Sequence, residues 1–164
     1  MQRISLAVAV LLALSGCSTN PGEPIALSGE CDGIRVVVDF DILSPENIDS
    51  CVSIEGEGIK AAELLALAGV TTQGTAAYGD AVVCRVNDLP SSTQAFSVPG
   101  EVAYVESCQD MPPGFAYWAL WTITDSELGW DYATEGIGTL ELKNGQSIGL
   151  IFSTSGETPN PDRT

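Results

Sequence analysis

Apolar and polar positions fall in blocks along this chain, and the blocks separate a leader from a domain. Positions 4–14 are almost wholly apolar and follow a basic start at Arg3. Positions 18–29 are polar and carry Pro21, Gly22 and Pro24, the composition of a tether. Positions 34–40 (IRVVVDF) are β-branched and apolar and predict a strand. Ser44-Pro45-Glu46-Asn47 breaks it, and the alternation at 51–54 predicts a second, short strand before Gly56 and Gly58. Positions 59–68 predict the one helix. Ala61, Leu64, Leu65, Leu67 and Ala68 make a wide apolar stripe, and Gly69 is a natural stop. A helix this short has to pack on a sheet to persist.

The second half reads as strands. Positions 81–86 form one, entered from the Tyr78-Gly79-Asp80 turn and ended by Asn87-Asp88-Leu89-Pro90. Positions 91–100 read as a loop and 102–106 as a short strand, and Met111-Pro112-Pro113-Gly114 is a firm break. Positions 115–123 are aromatic-rich and strand-like, and Trp130 and Tyr132 alternate on a following segment. Positions 140–142 and 147–152 flank Asn144-Gly145, the favoured two-residue connector, which predicts a closing hairpin. Positions 154–164 read as a disordered, Pro-containing tail. A strand pair, one main helix and then several strands is an α+β order, of the kind a β-grasp-like mixed sheet shows.

The leader ends in Leu14-Ser15-Gly16-Cys17. A charged start, an apolar run and small residues before a cleavage point make a secretory signal. The run is shorter than the ~20 residues that span a bilayer. Small residues stopping at a cysteine resemble a bacterial lipoprotein lipobox. That resemblance implies a signal peptide over 1–16, cleavage before Cys17, and a diacylglycerol on the Cys17 sulfur. The expected protein is then held by its lipid on the extracytoplasmic face of the cell membrane, with a tether over 17–30 and one domain over 31–153.

The remaining cysteines, Cys31, Cys51, Cys84 and Cys108, are an even set in an exported chain and read as two disulfides. Four cysteines allow three pairings. The sequence does not choose among them, and nearest neighbours give Cys31–Cys51 with Cys84–Cys108.

Charge narrows the partners. A formal net charge of -16 repels phosphate backbones and anionic headgroups, which argues against nucleic acid and leaves the acyl chain as the membrane attachment. The chain has no histidine. That removes Ser-His-Asp and Cys-His catalysis and makes a zinc site improbable. No metal and no cofactor is expected. Asp39, Asp41, Glu46 and Asp49 crowd the first hairpin without the spacing of a calcium loop and read as a solvated acidic edge. Paired-carboxylate chemistry stays open in principle, but no pair stands out.

The order of the pieces carries a second resemblance. A strand pair precedes Gly58-Ile59-Lys60-Ala61-Ala62-Glu63-Leu64-Leu65. Then come Tyr78-Gly79, Val83-Cys84-Arg85-Val86, Cys108 with Pro112-Pro113, and Ala116-Tyr117-Trp118 with Trp121. Trp130-Asp131-Tyr132 and Lys143-Asn144-Gly145-Gln146-Ser147-Ile148-Gly149 complete the series. Over roughly 31–152 this is similar to the C-terminal β-grasp domain of transcobalamin and intrinsic factor. The resemblance implies a non-catalytic module that contacts a corrinoid or a similar soluble ligand. No part of the sequence supplies that family's helical-barrel domain, and no histidine is present to sit on cobalt.

The candidate binding residues are the rings Tyr117, Trp118, Trp121, Trp130 and Tyr132, together with Arg85. On a strand Tyr117 and Trp121 share one face and Trp118 takes the other. Most of these rings are expected in the core, with one or two lining an apolar platform beside the stiff Met111–Gly114 loop. Arg85 is expected to pair with a carboxylate or with an anionic ligand group. The expected role is capture of a small, corrinoid-like or other cofactor-like ligand that is handed to an uptake system. The alternative is an adhesion or assembly module that binds an envelope protein, and a carboxylate-based hydrolase is a third reading.

Overall fold

A computed structural model describes residues 31–154 and 160–161. The signal peptide, Cys17, the tether and most of the tail lie outside the described residues.

The β-branched run folds as β1 (Ile34–Asp39) and turns through a single 3-10 turn at Asp41–Leu43. It returns antiparallel as β2 (Ile48–Val52), with Ile34 opposite Val52. This second strand starts three residues earlier than the alternation at 51–54 predicts. Asp49 and Ser50 hide it in the sequence. In the structure Asp49 takes two hydrogen bonds from Arg35, Nε at 3.0 Å and Nη2 at 2.7 Å, across the strand pair. Cys31 and Cys51 form a disulfide that ties the chain entering β1 to β2.

The helix is shorter than 59–68. Ile59–Lys60 is a two-residue strand, β3, and α1 spans Ala61–Leu67. Ala61, Leu64 and Leu65 are buried, whereas Leu67 is 62% exposed and does not belong to the packing stripe. Ala68 caps the helix and Gly69 follows at φ +75. Gly69 N donates to Ala66 O at 3.1 Å and Val70 N to Leu65 O at 2.8 Å. This is a Schellman closure, for which glycine alone is unstrained, and buried Val70 completes it.

A hairpin follows, β4 (Thr72–Thr75) with β5 (Gly79–Val86). The first strand has no sequence signal, because Thr-Gln-Gly-Thr is polar. Between β5 and the next strand the chain is irregular. The strand expected over 102–106 reduces to one bridge between Phe96 and Tyr104. Cys84 and Cys108 form the second disulfide and fasten this stretch to β5.

The aromatic-rich run becomes β6 (Tyr117–Ile123), paired with the two-residue β7 (Asp131–Tyr132). The closing hairpin is not formed. β8 (Glu141–Leu142) pairs with β3, while β9 (Ser147–Ser153) enters the main sheet. Asn144-Gly145 still turns the chain, with Gly145 at φ +86. Its role is wider than a turn, however: Asn144 donates to Ile54 O at 2.9 Å and accepts from Ile54 N at 3.2 Å, which pins the chain after β2.

The main sheet has the order β2-β1-β9-β6-β7. β9 runs parallel to β1 and antiparallel to β6. One helix against a mixed sheet makes the domain α+β. The core lies between one face of this sheet and α1. Val36, Val38, Trp118, Ile148, Leu150 and Phe152 come from the sheet, and Leu64 and Leu65 from the helix. The opposite face carries a smaller cluster of Ala119, Trp121 and Ile151, with Tyr117 and Trp130 packed on it. Gly149, opposite Trp121, lies on that face and is covered by the Pro161 ring: a Cβ there would come within 2.5 Å of Pro161 Cγ. Among the described residues no helix is long and apolar enough to cross a membrane.

Candidate functional site

Four segments meet around a cleft of about 580 Å³ at the start of β6. β5 supplies Asp80 to Val83, and the break after Asp110 supplies Met111, Pro112 and Gly114. Tyr117 to Leu120 form one wall, and the chain from Tyr132 to Ile137 closes the other side. Such a volume lies within the ~300–1,000 Å³ range of small-molecule sites.

Local sequence explains why the segments converge. Gly136 lies directly on β5, where a Cβ would sit 2.4 Å from Ala81 Cα, so no side chain is possible there. Ala133 N donates to Leu120 O at 3.0 Å and holds the 132–137 segment to β6. On the opposite rim Pro112-Pro113 restrict the backbone, and Ala116 N closes a turn onto Pro113 O at 3.0 Å. The rim therefore has little conformational freedom to lose on binding.

The rings divide as strand parity requires. Trp118 is 7% exposed, stands edge-on to Phe40 and Phe152 in the core, and shows part of its indole to the cleft. Tyr117 also lines the cleft. Tyr132 is 48% exposed and stacks on Trp121 at 4.0 Å between centroids, with 21° between the planes. Tyr132 borders the cleft, but its ring lies with Trp121 and Trp130 on the opposite sheet face. The Trp121 Nε1 is buried there without a hydrogen-bond partner. The sequence missed the two carboxylates of the rim, Asp80 and Glu135. Nothing distinguishes them among 22 acidic residues.

A broader hollow of about 830 Å³ lies between the 44–48 turn and Asn87 with Leu89. It is built by two stretches of chain where the first cleft has four, and Phe40 is its one ring.

Arg85 is not in the cleft. It is 6% exposed and its guanidinium is used internally. Nε donates to Pro90 O at 2.7 Å, Nη2 to Glu106 O at 2.7 Å, and Nη1 to the Gln73 side-chain oxygen. The expected carboxylate partner is replaced by carbonyl oxygens, because the irregular stretch after β5 has buried acceptors and no regular ladder to satisfy them. The Glu106 carboxylate points elsewhere: Oε1 accepts Cys108 N at 2.6 Å and Oε2 accepts the Tyr104 hydroxyl at 2.9 Å.

Burial, the hydrogen bond to Glu106 and the negative charge of Glu106 push the Tyr104 phenol up to about 12 from the ordinary 10. The folded state thus holds this proton more tightly than the unfolded chain. Its contribution to stability is complete below pH 10 and is lost as pH rises towards 12. Between pH 10 and 12 the wild type should lose more stability than Tyr104→Phe, measured by denaturant unfolding at each pH. Parallel pH profiles for the two proteins would remove the assignment.

The acidic edge at the first hairpin is also internally occupied. Asp49 pairs with Arg35, Asp39 accepts Asp41 N at 2.9 Å, and Asp41 accepts Thr154 Oγ1 at 3.0 Å. Among the described residues no group of three His, Cys, Asp or Glu side chains is placed to hold a metal ion.

The cleft therefore offers apolar walls, the Trp118 indole and two carboxylates. No protein-family model, no curated protein and no solved structure matches this chain.

Proposed function

We propose that this protein is an exported, lipid-anchored, non-catalytic binding module of β-grasp type, which holds a small soluble ligand in the cleft beside Trp118. The observation that carries the reading is the cleft itself: a concave, apolar-walled site built by four segments and stiffened at its rim.

Other features support the rest. The order β2-β1-β9-β6-β7, with β1 parallel to β9 and one helix on the sheet, supports the β-grasp reading. Two disulfides suit an oxidising compartment outside the cytoplasm. Ser15-Gly16-Cys17 supplies the acylation point, with the anchor on the extracytoplasmic side of the membrane. The ligand class is a corrinoid or another flat cofactor, passed on to an uptake system.

Equilibrium dialysis of the protein against cyanocobalamin, riboflavin and folate tests this. One of them should be retained, and Met111→Ala should weaken its binding about tenfold. Met111 is 58% exposed, so the same substitution should leave stability nearly unchanged. Retention of none of the three, by a folded protein, overturns the flat-cofactor class and leaves an envelope adhesion or assembly module as the alternative.

A further inference from the structure

We infer that the ligand of this cleft is an organic cation with an apolar body: an alkyl- or aryl-ammonium group that places its charge between Asp80 and Glu135 and its body against Trp118 and the aliphatic side chains of the walls. This rests on the reading of the cleft as a ligand site and adds the ligand's charge and shape.

Charge on the lining is one-sided. Asp80 and Glu135 line the cleft and no lysine or arginine does. Neither carboxylate takes part in the ion pairs formed among the described residues, Arg35–Asp49 and Lys60–Glu141. The whole chain has 22 acidic and 6 basic residues, and Arg85 is buried on carbonyl groups far from any role at the rim. The field at the cleft mouth is therefore negative, and the low-dielectric walls concentrate it. An anionic ligand would meet repulsion with no lysine or arginine in the lining to offset it.

The walls give the second argument. Trp118 shows part of its indole to the cleft, beside Leu120, Ile137 and Leu150. An ammonium over a tyrosine or tryptophan face is attracted by the ring quadrupole, and the effect grows as water is excluded. Met111, Pro112 and Val83 provide the apolar contact for the rest of the molecule. Carboxylates at the rim with an indole and aliphatic groups behind them fit a molecule that is charged at one end and apolar along its body.

Three compounds of matched size separate the terms: 4-phenylbutylammonium, 4-phenylbutanol and 4-phenylbutyrate. Binding is followed by NMR on the backbone amides of 80–83 and 133–137. The ammonium should bind at least tenfold more tightly than the alcohol, and the carboxylate should not bind. The advantage of the ammonium should shrink in 1 M salt, where the Debye length falls to ~3 Å. Asp80→Asn with Glu135→Gln should reduce the ammonium to the affinity of the alcohol, while Glu57→Gln, on the exposed loop before β3, should change nothing. Equal affinity of ammonium and alcohol, with shifts at these amides, overturns the charge inference and leaves the cleft as a ligand site. Absence of shifts with all three compounds overturns both.

Discussion

Trp118→Ala should lower the unfolding free energy by ~3–5 kcal/mol, the range for removing a large ring from a packed core. The indole stands on β6, beside the central strand β9, and is edge-on to two rings, Phe40 at 5.4 Å and Phe152 at 5.3 Å between centroids. Phe40 follows β1 and Phe152 lies on β9, so the ring joins three neighbouring strands. Its Nε1 donates to Leu89 O at 3.3 Å. Leu89 O also accepts Val86 N at 2.8 Å, so the lost hydrogen bond adds little and the cavity dominates. A melting temperature lower by roughly 10–20 °C is expected for a domain of this size. Trp118→Phe keeps a ring between Phe40 and Phe152 and should lose less than half as much. A loss below 1 kcal/mol for the alanine variant would show that the indole is not a core ring. Because Trp118 also lines the cleft, a binding defect in Trp118→Ala has two causes, and exposed Met111 is the better probe of the ligand.

The place of Trp118 shows what the sequence made legible. β1, β5, β6 and β9 announce themselves by runs of Val, Ile, Leu and aromatic residues, because each is buried on at least one face. Strand parity correctly separated Trp118 from Tyr117 and Trp121. The elements that escaped notice are those whose ordering comes from elsewhere. β4 is polar and exists because it pairs with β5. The expected closing hairpin failed because local turn chemistry at Asn144-Gly145 competes with a distant partner. Leu142 finds Ile59 across the sheet, and β9 finds β1 and β6 on its two sides. Both disulfides follow nearest neighbours in sequence, one of the three pairings the cysteines allow.

The site was half legible for a related reason. Rings are few in this chain and Pro112-Pro113 are adjacent, so the Met111–Gly114 break and the 117–132 cluster stood out. Asp80 and Glu135 are two of 22 acidic residues and Gly136 is one of 17 glycines, and only the approach of the 133–137 segment to β5 brings them together. Arg85 was legible as a residue that matters and misread as to its partners. A strand arginine suggests a carboxylate across the sheet, but the acceptors come from a stretch with no regular structure.

Replacing that arginine gives the other large expected effect. Arg85→Leu preserves bulk on β5 and removes the donors to Pro90 O, Glu106 O and the Gln73 side chain. Two of these hydrogen bonds are buried, and each acceptor left unsatisfied costs ~1–3 kcal/mol. The costs are not additive within one network, so a total of ~3–5 kcal/mol is expected in denaturant unfolding. The damage should be local in its first stage. The guanidinium joins three separate pieces of chain: Gln73 on β4, Pro90 at the exit from β5, and Glu106 before Cys108. Glu106 in turn holds Cys108 N and the Tyr104 hydroxyl. Without Arg85, amide exchange should rise across 91–106 ahead of the main sheet, while the Cys84–Cys108 disulfide still limits how far that stretch departs from β5. Arg85→Lys keeps the charge but offers a point donor in place of a planar fork, so it should recover only part of the loss. If lysine restored full stability, charge alone would explain the position. If leucine cost under 1 kcal/mol, the network would not be what orders the segment between β5 and β6.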